Sequence, residues 1–121
     1  SSMSPTIVLK GQEPILSLGA AGGPTIISQT LLTLIHTLDH NASIRDALNM
    51  PRFHHQWQPD LIRIESTAGN TVIDSLKELG HKINVLNKYG ATQAIGNLGN
   101  GLEAMHDPRL SGKSIAWPNR K

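Results

Sequence analysis

Gly22-Gly23-Pro24 is the segment whose residue types bear most directly on chemistry. Two adjacent glycines leave their backbone N–H groups unshielded, and a helix starting near Pro24 aims its positive end at the same point. Such donors can hold the oxyanion of an acyl-transfer reaction, where loss of one donor costs about 3 kcal/mol. The same residues also suit a plain strand-to-helix turn that needs positive φ. Ser1-Ser2-Met3-Ser4 offers a second set. Clustered hydroxyls can hydrogen-bond a substrate carboxylate, each bond to a charged group contributing about 1.5–3 kcal/mol. They read equally as terminal residues leading into a strand. In Arg52-Phe53-His54-His55-Gln56-Trp57 two histidines stand side by side. Neighbouring side chains diverge on an extended chain, no carboxylate stands at ligand spacing, and Asp60 lies beyond a proline. Packing of Phe53 and Trp57 with hydrogen-bonded histidines is therefore favoured over a metal centre. His36 and His40 have metal-compatible helical spacing but no evident third ligand, and Asp107-Pro108-Arg109 reads as a turn locked by an Asp–Arg pair. No metal or other cofactor is implied.

The elements that must position these groups belong to a short chain. With 121 residues there is room for one modest domain and not two. Aromatic residues, at 3%, are too scarce to anchor a large core, which suggests packing against further protein. The expectation is a single partial domain over 1–121, with 110–121 as a loose tail. A net charge of +2 on scattered Lys and Arg argues against a nucleic-acid groove or a basic membrane patch. The absence of cysteine removes disulfide and thiolate chemistry, and no apolar run reaches membrane-spanning length. The first residue is Ser1 rather than Met, so the missing leader segment says nothing about export.

Periodicity predicts a strand over Thr6 to Lys10, a turn from Gly11 to Pro14, and a returning strand over Ile15 to Leu18. Gly19 to Gly23 then reads as a small-residue loop. Ile27, Leu31, Leu34, Ile35 and Leu38 recur at helical spacing and predict an amphipathic helix. Asn41 or Ser43 can cap a second, shorter helix that Pro51 ends. Residues 51 to 60 form an irregular link, followed by a strand over Leu61 to Glu65. A helix from about Thr71 to Leu79 has Val72, Ile73, Leu76 and Leu79 on one side. Ile83 to Leu86 is a further strand, and Asn100-Gly101 marks a hairpin between Ala91 to Ile95 and Leu102 to His106. Strand pairs separated by helices give an α+β class.

Taken together, these segments resemble the γ-glutamyltranspeptidase family. Ser1 to Val8 is similar to the family segment that begins with paired serines, and Gly19-Ala20-Ala21-Gly22-Gly23 to its Gly-Ser-Pro-Gly-Gly loop. Asn49 to Trp57 resembles its Ala-Pro-Arg-Phe-His-His-Gln-Trp stretch. Gly90 to Ile95 and His106-Asp107-Pro108-Arg109 resemble its last strand pair and Asp-Pro-Arg ending. Five segments in order over about 1–109 make the likeness specific. It implies a fragment of an N-terminal-nucleophile hydrolase αββα sandwich, namely the C-terminal part of the small catalytic subunit. In that family a precursor cleaves itself, and the new N-terminal threonine attacks the γ-glutamyl amide of glutathione-like donors. The acyl group then passes to water or to an amino acid or peptide. Carried over, Ser1 and Ser2 match the serines that bind the donor α-carboxylate, and Gly22 and Gly23 match the oxyanion-hole glycines.

The resemblance also implies what lies elsewhere. The nucleophilic threonine and the acidic residues that hold the donor α-amino group are upstream of the matched region, so this chain alone is expected to be inactive. Its partners would be the large subunit and the upstream part of the small subunit, in a periplasmic or secreted setting, with no nucleic acid and no membrane segment. Without them, apolar helix faces and sheet edges should be exposed. Ala20-Ala21 in place of Ser-Pro, and Pro24 in place of the usual Ser, leave room for a related acylase acting on β-lactam side chains or poly-γ-glutamate. A non-enzymatic scaffold is the third reading.

Overall fold

The computed structural model describes residues 4–115, so Ser1 and Ser2 lie outside the described residues, as does the end of the expected tail. The chain divides into two compact units. One draws on Ser1–Asn49 and Gly90–Lys121, and the other is Met50–Tyr89.

The first unit is built on a four-stranded antiparallel sheet in the order β1-β2-β6-β7. Strand β1 (Thr6–Lys10) turns at Gly11 into β2 (Glu13–Ala21), which forms the expected hairpin but runs further than expected. Gly19, Ala20 and Ala21 pair with Gln93, Thr92 and Ala91 of β6 (Ala91–Gly96). The loop expected over Gly19 to Gly23 thus shrinks to the last two glycines, because ladder bonds to a partner strand outweigh the weak strand preference of Gly and Ala. β6 also pairs with β7 (Glu103–Met105). Their connection takes in residues 97–102, with the expected Asn100-Gly101 inside it. Asn97 Oδ1 organises it by accepting the N–H groups of Gly99 and Gly101 at 3.0 and 3.2 Å.

Leu16, Leu18 and Ala94 on one face of this sheet pack against Ile44 and Leu48 of α2 (Ile44–Asn49), with Val8, Leu34, Leu98 and Met105 around them. Ser43 caps α2 as expected: its Oγ accepts the Asp46 N–H at 3.0 Å and donates to Asp46 Oδ2 at 2.8 Å. The Glu103 carboxylate accepts the Ile44 and Arg45 N–H groups at 3.0 Å each, pinning the helix start to β7.

Helix α1 (Ile26–Leu34), continued by a π-helical turn over Ile35–Asp39, forms where the periodicity placed it, but much of the expected apolar stripe faces out, with Leu34 packing on the core. Ile27, Leu31 and Leu38 are 62%, 53% and 40% exposed, whereas Gln29, Thr30, Thr33 and Thr37 are buried. Burying two of these hydroxyls is tolerable because the helix itself accepts their bonds, whereas Thr30 Oγ1 is buried with no partner among the described residues. Thr33 Oγ1 donates to Gln29 O at 2.9 Å and Thr37 Oγ1 to Thr33 O at 2.8 Å. The expected exposed apolar helix face is therefore present, on α1.

The second unit holds a three-stranded sheet of β3 (Phe53–His54), β4 (Ile62–Glu65) and β5 (Ile83–Leu86), in that order. β4 and β5 are parallel, connected through α3 (Asn70–Glu78), and Ile62, Ile64 and Ile73 form their core with Leu76 and Ile83 alongside. Of the apolar side expected on α3, Ile73 is buried, while Val72 and Leu79 are exposed. Glu65, 1% exposed, accepts the Arg52 N–H through Oε2 at 2.9 Å and the Tyr89 N–H through Oε1 at 3.2 Å. Arg52 Nη1 in turn donates to Tyr89 O at 3.2 Å, so this pair of side chains closes the two ends of the unit together.

Asp107 plays the matching part in the first unit. Fully buried, it accepts the Thr92 N–H at Oδ2 (2.6 Å) and the Arg109 N–H at Oδ1 (2.8 Å). Arg109 Nη1 lies 3.4 Å from the same Oδ1 and donates to Leu48 O at 2.8 Å, which realises the expected Asp–Arg lock. Replacing Asp107 with Ala removes the acceptor of the buried Thr92 N–H and one partner of the Arg109 guanidinium, so urea denaturation should show a loss of about 3 kcal/mol. Asp107→Asn, which keeps an acceptor, should lose less.

Candidate active site

Where β2 ends at Ala21, the chain passes through Gly22 and a 3-10 turn over Gly23–Thr25 into α1. Gly22 has φ 141° and ψ 28°, and Gly23 has φ 60°. Two consecutive positive φ values are what only glycine adopts without strain. Pro24 follows, its fixed φ suited to a helix start.

The hydrogen bonds beneath this loop run to its carbonyls. Thr25 donates to Gly22 O twice, from N at 3.3 Å and from Oγ1 at 2.9 Å. Gln29 Nε2 donates to Ala21 O at 3.1 Å and to Thr25 Oγ1 at 3.0 Å. Thr92 Oγ1 donates to Gln29 Oε1 at 3.2 Å. In a trans peptide the C=O and the following N–H point opposite ways. With the Ala21 and Gly22 carbonyls held on one side, the Gly22 and Gly23 N–H groups are presented on the other. Neither amide has an acceptor among the described residues, and both glycines are exposed. The first turn of α1 carries no acidic side chain, so its positive end is not neutralised there. Chemically, the loop is a preformed pair of donors suited to an anion or a developing oxyanion.

The two glycines differ in what surrounds them. A Cβ on Gly22 would lie 2.8 Å from Thr25 Oγ1, 2.9 Å from Gln29 Nε2 and 3.1 Å from Gly90 Cα. On Gly23 it would meet nothing within 4 Å. Beside the strand that feeds the loop lies a hollow of about 350 Å³ lined by Pro5, Gly19, Ala20, Ala21, Ala91 and Gln93, among others. A second hollow, of about 390 Å³, shares Gly19 and Gln93 and reaches His106 and Lys113. Small residues at 19–21 leave the sheet surface open at this end.

The histidines are accounted for structurally. His54 Nε2 bonds Gln56 Oε1 at 2.8 Å, and His55 Nε2 lies 3.2 Å from Asp60 Oδ1, a pairing that the intervening proline does not prevent. Phe53 and Trp57, expected to pack there, are 51% and 75% exposed. The His36 and His40 rings lie tilted at 40° with centroids 5.9 Å apart, and the described residues hold no group of three potential metal ligands. What the sequence reading missed is Gln29 with Thr25 and Thr92. The signal was the run Thr25, Gln29, Thr33, Thr37 at intervals of four, a polar stripe overshadowed by the apolar one beside it.

Two outcomes follow from this geometry. Gly22→Ala should lower the thermal midpoint of the chain markedly, because strain and collision with Thr25 and Gln29 coincide. Gly23→Ala, strained by φ alone, should cost about 1–2 kcal/mol at most. Burial lowers the His36 pKa from its ordinary 6.5, and the neighbouring His40 lowers it further. The unfolded chain then takes up that proton at higher pH than the folded one, so stability should fall as pH drops through about 6.5. Urea midpoints at pH 7 and pH 5 should converge in His36→Gln relative to the parent.

Comparison with known proteins bears on the family and the fold. The sequence pattern of the family described as Gamma-glutamyltranspeptidase matches residues 1–117. A relative from Escherichia coli named glutathione hydrolase proenzyme is 39% identical over 95 residues, 78% of this chain. This chain spans 16% of that relative's length. Among solved structures, a Pseudomonas nitroreducens γ-glutamyltranspeptidase complexed with L-DON superposes with a TM-score of 0.88 and 33% identity, covering 98% of this chain and 63% of its own. A Helicobacter pylori γ-glutamyltranspeptidase variant gives 0.83 and 39%, covering 91% and 62%. The expected α+β class and N-terminal-nucleophile hydrolase fold are thereby borne out.

Proposed function

The chain belongs to the γ-glutamyltranspeptidase family, and from that premise we propose that it supplies the oxyanion hole and part of the donor site of a γ-glutamyl transferase or hydrolase. The observation that carries the proposal is the pair of outward N–H groups at Gly22 and Gly23 above carbonyls tied from below. A nucleophilic threonine from the upstream part of the small subunit attacks the γ-carbonyl of a glutathione-like donor. The carbonyl oxygen gains negative charge as the tetrahedral intermediate forms, and the two amides stabilise that charge. Collapse expels the amine, which takes up the proton given up by the threonine hydroxyl, and leaves a γ-glutamyl ester. Water or the amine of an amino acid or peptide then attacks the same carbon, using the same two donors, and releases the threonine, which regains a proton from the attacking group. Ser1 and Ser2 hold the donor α-carboxylate.

The threonine, the large subunit and the groups that bind the α-amino function come from outside this chain. The exposed Ile27, Leu31 and Leu38 of α1, with Ile7 and Leu9 of β1, supply apolar surface for that contact. A periplasmic or secreted setting follows from the same reading. Among the described residues no helix is long and apolar enough to cross a membrane.

This chain alone should leave a γ-glutamyl anilide unhydrolysed, while the processed full-length protein should turn it over. Gly23→Val in that protein should lower kcat about 100-fold, as expected when a donor is displaced from an oxyanion. Undiminished turnover by Gly23→Val would remove the assignment. Faster cleavage of a glutaryl amide than of the γ-glutamyl anilide would favour the acylase reading.

A further inference from the structure

We propose that Gln29 is a positioning residue for catalysis: its side-chain amide sets the direction in which the Gly22 and Gly23 N–H groups point. The inference rests on the oxyanion reading and deepens it.

Gln29 is 1% exposed, in a helix whose buried face could have been apolar. A buried amide is costly unless its bonding capacity is used. Here both Nε2 hydrogens have acceptors, Ala21 O and Thr25 Oγ1, and Oε1 accepts from Thr92. The two Nε2 bonds each bear on one of the two oxyanion donors. Ala21 O and Gly22 N–H belong to one peptide plane, so the bond to Ala21 O fixes where the Gly22 N–H points. Gly22 O and Gly23 N–H belong to the next plane, and Gly22 O is held by Thr25, whose hydroxyl Gln29 holds in turn. Gln29 therefore controls one donor directly and the other through Thr25.

The surroundings leave the amide no freedom to turn. A Cβ on Gly90 would lie 2.3 Å from Nε2, and one on Gly22 would lie 2.9 Å from it, so the amide is clasped between two glycines. On its other end Thr92, 0% exposed, is fixed by its own N–H bond to the buried Asp107 carboxylate. The aim of the loop is thus referred to the centre of the sheet rather than to neighbouring loop residues. An oxyanion donor displaced by a fraction of an ångström loses most of its effect, because its contribution depends on geometry reached only in the transition state.

The test uses the processed full-length protein carrying Gln29→Met, which keeps length and removes all three bonds. Functional sites are counted by covalent titration with a reactive donor analogue, so that partial unfolding does not enter. The expected result is a fall of about 10–100-fold in kcat per site with KM within about twofold, and a matching loss of affinity for a tetrahedral γ-boronate analogue of the donor. A structural role alone would reduce the number of sites and leave both per-site quantities unchanged. Thr25→Val, which frees Gly22 O but keeps the bond to Ala21 O, should show a smaller loss of the same kind, and it serves if Gln29→Met yields no titratable sites. Per-site kcat and boronate affinity at parent values in the folded variants, with Gly23→Val slowed about 100-fold, would overturn the positioning role. Full activity in Gly23→Val would instead overturn the oxyanion reading beneath it.

Discussion

A single side-chain amide, that of Gln29, links the end of β2, the first turn of α1 and the start of β6. Its three bonds reach Ala21 O, Thr25 Oγ1 and Thr92 Oγ1. Most of what is distinctive in the first unit can be traced to satisfying that amide in a place without water. The polar face of α1 turns inward to bring it there, and Gly90 stands where any side chain would strike it. A polar seam then continues from Thr92 through Asp107 to Arg109 and the end of α2 at Leu48. Thr92 and Asp107 are buried, Arg109 is half-buried, and each contact satisfies the next, which is the condition under which a buried polar network stabilises rather than weakens a fold.

This inversion of α1 has a second consequence. Once the Thr and Gln residues face the sheet, the apolar stripe of Ile27, Leu31 and Leu38 must face out. A helix with polar inner and apolar outer faces is unfavourable for a free-standing unit and natural for a layer covered on both sides. The arrangement agrees with the small share of its relatives that this chain spans. The hydroxyls of Thr33 and Thr37 help to make it possible, because each returns its bond to a carbonyl four residues earlier and so is buried without an external partner.

Much of the fold was legible from the residues. The hairpin at Gly11, the cap at Ser43, the strand over Ile62–Glu65 and helix α3 lie within a residue or two of where turn chemistry and periodicity put them. Such features are decided locally, by φ preferences, capping hydroxyls and side-chain period. The extension of β2 through Gly19–Ala21 was not legible, since those residues are strand only because β6 offers them a ladder. The link between β6 and β7 contains Asn100-Gly101 as expected, but that Asn97 gathers its amides was not legible. Phe53 and Trp57 looked like packing residues, yet their exposure depends on neighbours that spacing cannot reveal.

For the site, the sequence by itself determined the two glycines and the proline after them, and, through the order of five segments, the family. These are statements about which backbone conformations the residues permit and about likeness over the whole chain. Only the tertiary structure decided which face of α1 is buried and which groups hold the loop. A helical repeat of 3.6 fixes that two opposite stripes exist, but the choice between them is made by whatever lies beneath. Here it is Thr92 and the carbonyls of Ala21 and Gly22, brought under Gln29 from 63 residues along the chain in one case and from a few residues away in the other.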